Sequence, residues 1–138
     1  MRITTRYRED ELFVAENDNG HKINIDMRNI DVKDSLGPVE MMLAAIAGCA
    51  AVDIVSMIRK KRKTFVDLII ETTGERRETH PRSLTQIHSK YTLISPDTNL
   101  ETFTKVAKLA TEKYCSAADS VKANIEVICK VVHPDEHS

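Results

Sequence analysis

Three cysteines carry most of the reactive chemistry available to this chain. Cys49 lies in the middle of GPVEMMLAAIAGCAAVDIVSMIRKKRK, residues 37–63, and Cys115 lies in KYCSAADS, residues 113–120. A cysteine is either a small buried hydrophobe or, as its thiolate, a nucleophile, a metal ligand or half of a disulfide. Metal ligation finds no support in the pattern. No Cys-x-x-Cys occurs, Cys49 and Cys115 are 66 positions apart, and His21, His80, His88, His133 and His137 show no ligand spacing. Three thiols, an odd number, do not make a disulfide framework either. Cys129 alternates with Val127 and Val131 and reads as a core thiol. Cys49, within an apolar helix, is open to the same reading. Cys115 sits where a helix ends and polarity rises, so a partly reachable thiol is expected there.

The elements that must position these thiols follow from hydrophobic spacing. Residues 2–8 and 12–16 alternate weakly, with Arg8-Glu9-Asp10-Glu11 as a polar turn between them. Asn17-Asp18-Asn19-Gly20 is a second turn, followed by Ile23, Ile25 and Met27 at spacing two. A polar loop over 28–36 leads to Pro38, suited to a first helical position, with Glu40 near the positive end of the helix dipole. This helix is apolar on nearly all faces through Ile46, which predicts a central element wrapped by others. Arg59 to Lys63 closes it. Val66, Leu68 and Ile70 alternate, as do Ile87, Ser89, Tyr91 and Leu93, with a polar connector over residues 74–82. Ser95-Pro96-Asp97 starts a second helix that runs to Ala118. Ala123 to Val131 is a last strand, and the tail HPDEHS is expected to fray. The order β-β-β-α-β-β-α-β is an α+β pattern in a single domain spanning 1–138.

Composition narrows the function. Lys and Arg total 20 against 21 Asp and Glu, a net charge of −1, which lacks the basic excess of a nucleic-acid-binding domain. The first residues alternate and carry charge, unlike a signal peptide, and the apolar run Met41–Val52 is short for a bilayer span. A cytoplasmic protein with no membrane partner is expected.

Gly37-Pro-Val-Glu-Met-Met-Leu-Ala-Ala-Ile-Ala-Gly-Cys49-Ala-Ala-Val-Asp resembles the central-helix motif of the osmotically inducible protein C and organic hydroperoxide resistance family. Glu112-Lys-Tyr-Cys115-Ser resembles the second cysteine motif of its two-cysteine members, and Glu75 to Arg82 is similar to one subgroup. The resemblance implies an OsmC-like fold with a buried central helix, an intertwined homodimer, and a thiol peroxidase acting on organic or hydrogen peroxide. It makes Cys49 the peroxidatic cysteine and Cys115 the resolving one, with a dithiol as reductant and no cofactor or metal. Such chemistry needs a thiolate, which an apolar helix interior and the nearby Asp53 both disfavour. A positive group from elsewhere is therefore expected. In the family an arginine of the N-terminal hairpin has that part, and Arg6 and Arg8 lie in the corresponding region without a motif that fixes either. The hydroperoxide-resistance branch has a glutamate ten residues before its first cysteine, where this chain has Val39. Glu40 lies half a turn out of phase with Cys49 and is assigned to the helix start.

Two other readings stay open. Arg59 to Lys63 with Arg76, Arg77 and Arg82 is either a solvated helix end plus loop, or an anion pocket for a phosphate-bearing thiol compound. The thiols are otherwise core residues of a dimerising scaffold. The substrate-binding residues are not identified by any motif.

Overall fold

A computed structural model of the chain describes residues 1–136 and has the expected order of strands and helices. The chain divides into two compact units, residues 1–42 and residues 43 onward.

The first unit is an antiparallel meander of β1 (Ile3–Glu9), β2 (Leu12–Asn17) and β3 (Lys22–Asp26), in that spatial order. Asp10 and Glu11 turn β1 into β2 at φ 45° and 60°, the positive values that a two-residue hairpin between twisted strands demands. At the next turn the Asn17 side chain accepts the N–H groups of Asn19 (3.0 Å) and His21 (2.9 Å), and Gly20 takes φ 83°. The loop after β3 is organised by Asp26, whose side chain is fully buried. Its carboxylate receives the Arg28 guanidinium in bidentate fashion (3.0 and 2.9 Å) and the N–H groups of Arg28, Asp34 and Ser35. A buried charge is tolerable only with such a complete set of partners. The loop ends at Gly37, whose N–H donates to the Glu40 carboxylate at 3.0 Å. Glu40 thus assists the helix start as its position suggested.

The long helix α1 (Pro38–Lys60) starts in the first unit and continues into the second. There follow β4 (Asp67–Arg76), β5 (Leu84–Ile94), α2 (Leu100–Leu109), a π-helical turn (Ala110–Tyr114), α3 (Ser116–Asp119) and β6 (Asn124–Val132). Strand β5 is central, antiparallel to β4 and parallel to β6. Parallel neighbours require a crossover, and the segment from α2 to α3 supplies it. On β5, Ile87, Ser89, Tyr91 and Leu93 are all fully buried, one face of a strand at spacing two. With Ile46, Ala50, Ile54 and Ile58 of α1 and Phe103, Val106, Ala107 and Ala110 of the crossover they form the core.

Several expectations are corrected. Helix α1 stops at Lys60, because Arg62 turns left-handed at φ 58°. Strand β4 continues through residues 74–76, which pair with β5, so the connector is 77–83. The chain buries only one stripe of α1 rather than wrapping it, and Val52 is 71% exposed. The helix is also longer than its apolar run: its 23 residues would suit a bilayer by length and composition, but its buried stripe belongs to the protein core. The second helix begins under an Asn99 cap, whose side chain accepts Thr102 N–H at 2.8 Å, and it does not run straight to Ala118. Asp97 instead accepts the Thr64 N–H at 2.8 Å. Of the tail, Pro134–Glu136 form a 3-10 turn, while His137 and Ser138 lie outside the described residues.

Candidate functional site

The site is assembled where the crossover changes pitch. Helix α2 keeps its apolar spacing through Val106 and Ala107, and Ala110 continues it at the start of the next turn, all buried. The π-helical turn that follows widens the coil and ends at Cys115, which is extended (φ −79°, ψ 103°). Single π-turns inside helices recur at functional sites because they re-aim the residues that follow. Here the turn is tied to the sheet. The Tyr91 hydroxyl of β5 and the Thr111 hydroxyl hydrogen-bond at 2.7 Å, both side chains being buried. The phenol is an apolar body with one polar atom, and a buried one requires such a partner.

Cys115 then caps the short helix α3. Its Sγ accepts the Ala118 N–H at 3.3 Å, the position a serine or aspartate oxygen usually takes. The same thiol donates to the Ile46 carbonyl of α1 at 3.7 Å. Ile46 is three residues before Cys49, nearly one helical turn, so this contact brings the two sequence-predicted thiols side by side. Both are free thiols, and neither is joined in a disulfide. Cys115 is only 3% exposed, whereas Cys49 is half-buried, the reverse of the expected accessibility.

The two sulfurs are electrostatically unlike. The Cys49 thiol is pulled below its ordinary pKa, first by the Ala117 backbone N–H, then by the Cys115 thiol and, more weakly, the Ser116 N–H; burial and the Asp53 carboxylate oppose this. The first N–H groups of a helix have no partner within it. In α3 they point at sulfur. The positive influence expected from a side-chain cation is therefore supplied first by backbone dipoles. Arg6 is engaged with Glu16 at 3.8 Å within the meander. Cys115 is pushed up, chiefly by burial and secondarily by its neighbour Cys49. A thiol pair with one member favouring thiolate and the other favouring the protonated form can attack an electrophile and then condense.

Cys129 faces the crossover from β6, and burial raises its pKa, with the Thr104 hydroxyl and then Lys108 opposing. It takes no part in the pair. Of the basic residues, Arg76 donates to the Arg82 carbonyl at 2.8 Å and Arg77 to the Thr79 carbonyl at 3.1 Å, so both hold the connector in shape. Arg59 stacks over the Phe65 ring at 5.5 Å. Lys60 and Lys61 join Lys105 around a cavity of about 300 Å³ whose apolar lining is Met57, Val106 and Leu109. Sequence reasoning missed the α3 backbone, Tyr91 and Thr111. The one available signal was Tyr91 at an inward strand position, a buried hydroxyl in need of a partner.

Comparison with known proteins identifies the family and the fold. Residues 31–130 match the family model described as OsmC-like protein. The chain is 36% identical over 118 residues to Protein YhfA of Escherichia coli K12, covering 86% of this chain and 87% of that one. A hypothetical protein of Aquifex aeolicus is 27% identical, with a TM-score of 0.83 over 96% of both chains. The organic hydroperoxide resistance protein OhrB of Bacillus subtilis shares the fold at 16% identity, with a TM-score of 0.63 over 95% of this chain and 96% of that one. With its central apolar helix, its two sheets and its family match, the chain belongs to the OsmC-like protein family.

Proposed function

We propose that this protein is a cytoplasmic thiol peroxidase in which Cys49 is oxidised by a hydroperoxide and Cys115 resolves the product. The observation that carries this reading is the adjacency of two unlike thiols from distant parts of the chain, the more accessible one favouring the thiolate. In the first step the Cys49 thiolate attacks the terminal peroxide oxygen. The O–O bond breaks, the alkoxide takes a proton from solvent, and Cys49 becomes a sulfenic acid. The Cys115 thiol then displaces water from that sulfur, giving a disulfide that a dithiol reduces by two exchange steps. Burial of Cys115 beside its target favours fast condensation over further oxidation. The family membership and the likeness to a hydroperoxide-resistance fold support the class of chemistry.

The protein is proposed to act as a homodimer. The exposed apolar positions Met42 and Val52, at 43% and 71%, leave part of α1 uncovered by its own chain, as an interface would.

The test is turnover of an alkyl hydroperoxide with a dithiol. Cys49→Ser should be inactive, and Cys115→Ser should consume one equivalent and stall. Equal activity in wild type and both variants would refute the assignment.

A second reading rests on the cavity rimmed by Lys60, Lys61 and Lys105, whose lining on α1 begins with Met57, about two helical turns beyond Cys49. Its charge and apolar floor suit a phosphate-bearing thiol compound, bound rather than turned over. Native mass spectrometry of the purified protein should then find such a compound, and its complete absence would remove this reading.

A further inference from the structure

We propose that Tyr91 and Thr111 are positioning residues for the thiol pair: their hydrogen bond locks the π-helical turn against β5 and so fixes where Cys115 meets α1. The inference rests on the two-thiol reading above and adds two residues to it. The bond is 2.7 Å long and buried at both ends, Tyr91 being fully buried and Thr111 3% exposed. Thr111 lies inside the turn, and the turn ends at Cys115. From there the connection is short. The Cys115 thiol reaches the Ile46 carbonyl at 3.7 Å and accepts the Ala118 N–H at 3.3 Å. A chain of direct contacts thus runs from the middle strand of the sheet, through one hydroxyl pair, to the helix that carries Cys49.

The turn needs such an anchor. A π-turn holds one residue more than an α-turn and is the rarer form, so something outside the helix must favour it. If the anchor is lost, the coil can relax toward α-helical pitch, rotating every later residue. Cys115 would leave its place beside Ile46, and condensation with Cys49 would slow although both thiols remain. Neither Tyr91 nor Thr111 need touch a substrate for this to follow.

The experiment uses diamide, an azo oxidant, so that it does not depend on peroxide turnover. Two thiols lose two protons and two electrons to the N=N bond, which becomes a hydrazine, and the sulfurs join. The rate of Cys49–Cys115 disulfide formation is followed by acid quench and peptide mass in the full-length protein. Tyr91→Phe and Thr111→Val each remove one hydroxyl with little change of volume. Loss of one buried hydrogen bond predicts a disulfide rate roughly three- to tenfold slower in each. Thr111→Ser keeps the hydroxyl and should oxidise at the wild-type rate, and the double variant should be no slower than the worse single one. Thermal unfolding of each variant is recorded alongside. Slowing that Thr111→Ser rescues supports the inference. Wild-type rates in Tyr91→Phe and Thr111→Val, or equal slowing in Thr111→Ser, would overturn it. A wild-type protein inert toward hydroperoxides but showing the predicted diamide pattern would sink the peroxidase reading and leave this one standing.

Discussion

At the Cys49 sulfur, burial and the Asp53 carboxylate raise the cost of a thiolate, and backbone N–H groups from α3 with the Cys115 thiol lower it by more. The sign has a direct consequence. A thiol with depressed pKa is ionised at lower pH than a free cysteine, which titrates at about 8.5. Alkylation of Cys49 by iodoacetamide should therefore rise with pH along a curve displaced to lower pH than that of a free thiol. Cys115, buried and shifted upward, should lag at every pH. Asp53→Asn removes a charge that opposes the thiolate, so it should displace the Cys49 curve further down. Peptide-resolved alkylation rates between neutral and alkaline pH read this out. An unmoved or upward-moved curve would mean that Asp53 does not act on this sulfur. The pairing of Cys49 with Cys115 was legible only through motif resemblance, and the burial of Cys115 was not legible at all. Its polar neighbours in KYCSAADS suggested exposure, but its environment is set by a carbonyl 69 positions away on α1.

The elements were far more readable than the geometry between them. Alternation located six strands, and it is clearest where a strand has one covered face, as β5 shows in its buried residues at spacing two, whereas β1 is exposed along its whole length. The break after α2 left no such trace. Leu100, Phe103, Val106, Ala107 and Ala110 keep helical spacing up to the point where the π-turn begins, and the turn is favoured by a hydroxyl on another element. The extension of β4 through Gly74 was hidden for a similar reason, since glycine and charge read as loop. Its cause is close packing. A methyl group at Gly74 would stand 2.6 Å from a Leu84 methyl and 3.3 Å from one of Leu43 on α1. Gly74→Ala should therefore cost about 1–3 kcal/mol through overpacking of the strand against these leucines. Thermal unfolding measures it, and an unchanged or raised midpoint would show that the leucines yield freely.

For the molecule as a whole, the fold carries Cys49 on a long apolar helix and leaves part of that helix uncovered. A chain of even charge balance, with Val39 at the position of the hydroperoxide-resistance glutamate, relies in this account on its two thiols and on the short helix between them and β6. The central claim is that Cys49 and Cys115 act as one redox unit. It is tested most directly by titrating the reduced protein with one equivalent of an alkyl hydroperoxide, quenching in acid and mapping the peptides. The account predicts a Cys49–Cys115 disulfide within one chain, two hydrogens lighter than the reduced form, formed as peroxide disappears one for one. Recovery of both thiols unmodified, or of Cys49 as sulfinic acid with Cys115 still free in the wild-type protein, would contradict it.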